Sequence, residues 1–189
     1  MNKKWLLPLF GLMQVAQWLV PSKLIYDSEK TISDGVTFMF RTRPVDPYDP
    51  FRGKYITLYF EDNKIRRDTL ESFNDGESVF VLVEADSLGI GVPKDVSHSI
   101  FDTSNCFEAT VSYSVRDSAN GFRWVYLEFP FNKFFLEETL APQAEMTYSE
   151  TRSDTIPGFA VVKIKDGSAV LQDVMINDSS IVDLVMAKK

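Results

Sequence analysis

Residues 36–41 alternate side by side, with Val36, Phe38 and Phe40 facing one way and Thr37, Met39 and Arg41 the other. A period of two predicts a half-buried strand. Ile56, Leu58 and Phe60 repeat that spacing in a second strand. The run ESVFVLVEAD, residues 77–86, is apolar on both parities as far as Val83, which predicts a central strand covered on both faces. Phe107, Ala109, Val111, Tyr113 and Val115 alternate with Glu108, Thr110, Ser112 and Ser114, and FRWVYLEF follows after Asn120-Gly121, so these two runs should form a hairpin. Asp166-Gly167 between two β-rich runs has the chemistry of a tight turn, and residues 181–185 read as a closing edge strand. PFNKFFLEETLA, residues 130–141, breaks the alternation: Asn132 suits an N-cap and Phe131 and Phe135 stand four apart, which predicts a short helix. The expected fold is therefore mainly β with a short helix, a β-rich α+β domain.

The beginning of the chain has a different pattern. Lys3 and Lys4 precede an almost purely apolar run over residues 5–20. Such a run is a targeting or membrane segment, and extending it to Tyr26 gives about 33 Å of helix against a hydrocarbon core of about 30 Å. Bulky residues follow the run where a cleavage site would need small ones, so a retained signal anchor is expected over a cleaved signal. The positive-inside bias then leaves the N-terminus in the cytoplasm and the rest outside. The expected organisation is a membrane helix over residues 1–26 and an exterior β-rich domain over residues 27–189. Gln14 and Gln17 share one helix face and could bond a neighbouring membrane helix.

Composition narrows the chemistry. The chain has 189 residues, 44% of them hydrophobic, so it can build a core. A formal charge of −7 gives no global attraction for phosphate backbones, and nucleic acid is not an expected partner. One cysteine, Cys106, cannot form an internal disulfide, and with the single His98 it does not make a zinc site. Core filling is the expected role of Cys106. No cofactor and no metal are expected.

PVDPYDPFRGKYITLYF, then FPFNKFFLEE, then VVKIKDGSAVLQDVMIND follow the N-terminal segment in order. Together they resemble the bacterial GDYXXLXY family of membrane-anchored proteins. In that pattern Gly53 takes the glycine, Tyr55 the first tyrosine and Leu58 the leucine, while Lys54 replaces the aspartate and Phe60 the final tyrosine. Lys54 removes any role that needs a carboxylate there, and Phe60 keeps bulk without a hydroxyl. The resemblance implies a single-pass protein of the bacterial inner membrane with a periplasmic domain. The family is one of unknown function; the expected role is non-catalytic, binding another envelope or membrane protein, the alternative being an envelope enzyme or small-ligand module with a pocket near the motif strand.

Candidate sites are few. A Ser/His/Asp triad would have to use His98 in HSIFDTS, and a Ser/Lys dyad lacks a serine in the loop over residues 44–53. Asp46 and Asp49, near Glu61 and Asp62, could gather a hard cation, but solvated loop carboxylates are the ordinary reading. Arg41, Arg43 and Arg52 bracket that loop and should pair with its acids. The candidate binding residues are Arg52, Lys54, Tyr55, Asp46, Asp49 and Glu137; Gly53, Leu58 and Phe60 are structural. Parity puts Leu58 and Phe60 on one face and Tyr55, Thr57 and Tyr59 on the other.

Overall fold

The structure, a computed structural model, describes residues 6–43, 55–68, 71–117, 121–137, 144, 148 and 158–187. Helix α1 (Leu6–Asp34) leads into β1 (Val36–Arg43), β2 (Tyr55–Thr57), β3 (Tyr59–Phe60), β4 (Lys64–Arg67), β5 (Ser78–Ala85) and β6 (Gly91–Ser97). Then come β7 (Cys106–Asp117), β8 (Phe122–Glu128), β9 (Lys133–Phe135), β10 (Gly158–Lys165), β11 (Ser168–Ile176), β12 (Ser179–Ser180) and a last helix, here α2 (Ile181–Ala187). One antiparallel sheet has the order β12-β11-β10-β1-β3 and another the order β4-β8-β7-β5-β6; β2 and β9 pair as a two-stranded ribbon.

The β-rich expectation holds, and the alternating runs explain why. Val79, Val81 and Val83 of β5 are buried, while Phe80 and Leu82 on the opposite face are half-buried, between neighbours β6 and β7. The β10–β11 hairpin turns at Asp166 and Gly167, whose φ values are 47° and 90°. A Cβ on Gly167 would lie 3.2 Å from the Phe80 ring, so both the turn and its packing favour glycine there. That turn also joins the sheets: the Glu108 N–H donates to the Gly167 carbonyl, and the Gly167 N–H donates to the Cys106 carbonyl. Cys106 is itself buried, a thiol among core side chains.

Five phenylalanine rings weld the two sheets. Phe40 from β1 and Phe60 from β3 meet Phe107 from β7, with Phe129 and Phe131 from the β8–β9 connection closing the group. Neighbouring centroids lie 5.0 to 6.2 Å apart, several edge to face, the range in which aromatic pairs attract beyond simple burial.

Three expectations need correction. First, α1 does not stop near residue 26; it runs through Pro21 and on to Asp34, about 44 Å at 1.5 Å per residue. Among the described residues no helix is long and apolar enough to cross a membrane. Gln14, Gln17, Pro21 and Lys23 interrupt the apolar run, and Asp27, Glu29 and Lys30 follow. The membrane helix, the signal anchor and the single-pass inner-membrane address with its cytoplasmic N-terminus are therefore not supported.

Second, the helix expected over residues 130–141 is replaced in its described part by a strand. β9 pairs with β2, Tyr55 opposite Phe135, and the Leu58 N–H donates to the Asn132 carbonyl at 2.8 Å. Phe134 is buried and Phe135 is 69% exposed, a period of two that a tertiary partner strand imposes over the local helical signal. Third, residues 181–185 are helical. Ile181 and Val185, four apart, are both buried, and the Ser180 hydroxyl caps the turn by accepting from the Val182 N–H.

The last turn of α1 is its attachment to the body. Thr31 is buried, Lys165 of β10 pairs with Asp34 at 2.8 Å, and Lys163 Nζ donates to the Gly35 carbonyl. Both lysines lie at the helix C-terminus, where positive charge is favoured. The Lys165 hydrogen bond holds the Asp34 carboxyl below its ordinary range.

Candidate functional site

The motif strand changes partners halfway. Residues 55–57 pair with β9, Leu58 breaks the ladder, and residues 59–60 pair with β1. Throughout this switch Ile56, Leu58 and Phe60 stay buried, whereas Tyr55 and Thr57 are half-buried and Tyr59 is 49% exposed. One parity belongs to the core; the other forms a wall. Of the candidate binding residues, Asp46, Asp49, Arg52 and Lys54 lie outside the described residues, as does Gly53.

That wall lines a cleft of about 510 Å³. Its polar groups are the hydroxyls of Tyr55, Tyr59 and Ser112, the amides of Asn63 and Asn132, the Glu128 carboxylate and the Lys133 ammonium; Leu58, Phe60, Leu127 and Phe129 supply apolar floor. Lys133 Nζ sits 5.1 Å from the Tyr55 ring centroid, and Phe135 stands 5.5 Å from the same ring on its paired strand. Asn132 donates to Glu128 Oε1 at 3.0 Å, four residues back across Pro130. This pair also borders a second cleft of about 540 Å³ toward Leu24 and Asp27 of α1. The Glu128–Asn132 pair is thus a shared ridge that sequence reading passed over; the hint was a polar pair flanking a proline at the end of an apolar strand.

Glu137 does not join Tyr55. It lines a separate groove with Phe134, Phe135, Leu171 and Val182. Lys133 lines both spaces. Arg41 faces the Glu61 carboxylate at 3.7 Å and Arg43 donates to the Glu61 carbonyl at 2.9 Å, while the proline loop they were expected to pin lies outside the described residues.

Among the described residues, the chemistry lining the motif cleft is hydrogen bonding, the Lys133 ammonium, the Glu128 carboxylate and aromatic surface, with neither histidine nor cysteine. His98 lies elsewhere, with both ring nitrogens engaged by Glu71 and Glu77 rather than by a serine, so HSIFDTS does not assemble a triad. Among the described residues no group of three or more His, Cys, Asp or Glu side chains could hold a metal ion.

No curated protein and no solved structure matches the chain. The sequence profile of the GDYXXLXY protein family matches residues 17–174, well over half of the chain, spanning the end of α1, the motif strand and the β10–β11 hairpin. The chain belongs to the GDYXXLXY protein family.

Proposed function

We propose that this chain is a non-catalytic binding protein that receives an extended segment of another protein along the motif ribbon, the partner class being another envelope protein. The observation that carries the reading is the β2–β9 ribbon. It is two strands of three residues, with no third strand among the described residues, and it presents exposed Phe135, with Tyr59 of the adjoining β3 also exposed, beside a polar cleft. A short ribbon with aromatic side chains on its surface suits strand addition, in which backbone bonds give affinity and side-chain pockets give register. Photo-crosslinkers at positions 59 and 135, in living cells, test it. The expected result is the same specific adduct from both positions, with the position-59 adduct lost on Phe135→Glu; the absence of a shared adduct overturns the reading.

A second reading, a small-ligand module, draws on the cleft itself, whose volume and convergent Tyr55, Glu128, Asn132 and Lys133 fit a small polar molecule. Metabolite mixtures that shift the Asn63 and Asn132 side-chain amide resonances, without displacing a crosslinked protein, would favour it.

A further inference from the structure

Residues 71–77 cross the surface between β4 and β5 and bring Phe73 into the core, where it is 2% exposed. The Ser114 hydroxyl donates to the Phe73 carbonyl at 2.8 Å, and the Gly76 N–H donates to the Val111 carbonyl. His98, just past β6, closes over this segment. Its ring lies parallel to the Phe73 ring, centroids 5.0 Å apart and planes 5° apart. Nδ1 is 2.8 Å from Glu71 Oε1, and Nε2 is 3.0 Å from Glu77 Oε1.

A neutral imidazole has one N–H donor and one acceptor nitrogen. With a carboxylate at each nitrogen, the neutral ring would direct one lone pair at another. Only the imidazolium donates to both. We infer that His98 is a proton-controlled clasp, which in its charged form holds the 71–77 segment and its Phe73 plug against β7 and on losing its proton gives up one of its two carboxylate bonds.

Among the described residues, the charged groups facing the clasp come from the segment, β4 and β6. Glu71 and Glu77 come from the segment itself, and Asn74 N–H also donates to Glu77, which fixes that carboxylate. β4 contributes Arg67, which reaches Glu71 at 3.3 Å and also bonds Asp95 on β6. An arginine guanidinium stays charged wherever an imidazole titrates. Arg67 therefore retains Glu71 when His98 is neutral, and the segment loosens without detaching. The hydrogen bond to Glu71, then the charges of Glu77 and Glu71, raise the His98 pKa above its ordinary 6.5, while burial opposes them. Glu71 is lowered chiefly by its bond to His98, and Glu77 chiefly by its bond from the Asn74 backbone. A raised pKa in the closed form means that the clasp is at full strength below pH 6.5 and weakens as pH rises through the raised value. The device thus responds in the neutral-to-alkaline range. His98, Glu71 and Glu77 are each about a third exposed, so salt weakens the clasp.

The single histidine makes the test direct. Its ring C–H resonance should titrate with a midpoint above 6.5, and the midpoint should fall in both Glu71→Gln and Glu77→Gln. Over the same window the Gly76 amide should exchange faster than its intrinsic rate predicts, by about tenfold for each unit by which the pKa is raised. In His98→Gln this extra pH dependence should vanish while the remaining core amides stay protected. A midpoint at or below 6.5, a midpoint unmoved by both carboxylate variants, or Gly76 exchange that follows only the intrinsic rate overturns the clasp.

Discussion

Two groups of apolar side chains in this protein meet opposite fates. The five rings of Phe40, Phe60, Phe107, Phe129 and Phe131 are all buried and touch one another. Along α1, Leu12, Trp18, Leu19 and Val20 are equally apolar, and each is more than 60% exposed. The strands alternate, so their apolar residues share a face, and a second sheet offers a face to meet it. The helix carries apolar residues around its circumference and borders the body with its C-terminal stretch from Leu24 onward, where Thr31 is buried. Hydrophobicity makes burial favourable but does not supply the surface against which to bury.

Deleting a ring from the welded group should have the largest effect. Phe40 contacts four other rings, and Phe40→Ala should cost about 3–5 kcal/mol, read from the midpoint of chemical unfolding. A loss below about 1 kcal/mol would mean that the sheets are joined elsewhere. Adding bulk beside the same ring should cost less. A Cβ on Gly91 would lie 3.1 Å from Phe40 and 3.2 Å from Phe38, so Gly91→Ala should cost about 1–3 kcal/mol by overpacking.

Next comes the joint between the two regions. Lys165→Ala removes the cation from Asp34 and should speed amide exchange at the end of α1, notably at Gly35, whose N–H donates to the Thr31 carbonyl, with the β-core unchanged. The effect should shrink in high salt. The smallest effect belongs to the exposed helix: Trp18→Ser with Leu19→Ser should move the unfolding midpoint of the body by no more than about 0.5 kcal/mol. A larger loss would show that α1 does pack on something, and the comparison would fail.

The strands that alternate cleanly were readable, and where reading failed the cause lies in particular residues. β7 was expected to keep Phe107 through Val115 on one face. A bulge between Val111 and Tyr113 adds a residue, so Tyr113 and Val115 turn outward and Ser114 turns in to bond Phe73. Outside, Tyr113 then stacks on Tyr126, with centroids 4.2 Å apart. At residues 133–135 a partner strand overruled a helical pattern, and at residues 181–187 the spacing of Ile181 and Val185 with the Ser180 cap overruled a β-branched run. The cleft was half legible: parity put Tyr55 and Tyr59 on the face away from the core, but that they line a cleft depends on Glu128, Asn132 and Lys133 from another part of the chain.

Local pattern alone was enough for the β-rich class, the Asp166-Gly167 turn and the inward face of the motif strand, because period and turn chemistry act between near neighbours. Which strand pairs with which, where Phe131 and Phe129 meet Phe40, and why His98 finds two carboxylates depend on chain segments distant in sequence. Those contacts form only when the two sheets close, and no local propensity encodes a partner that arrives from elsewhere in the chain.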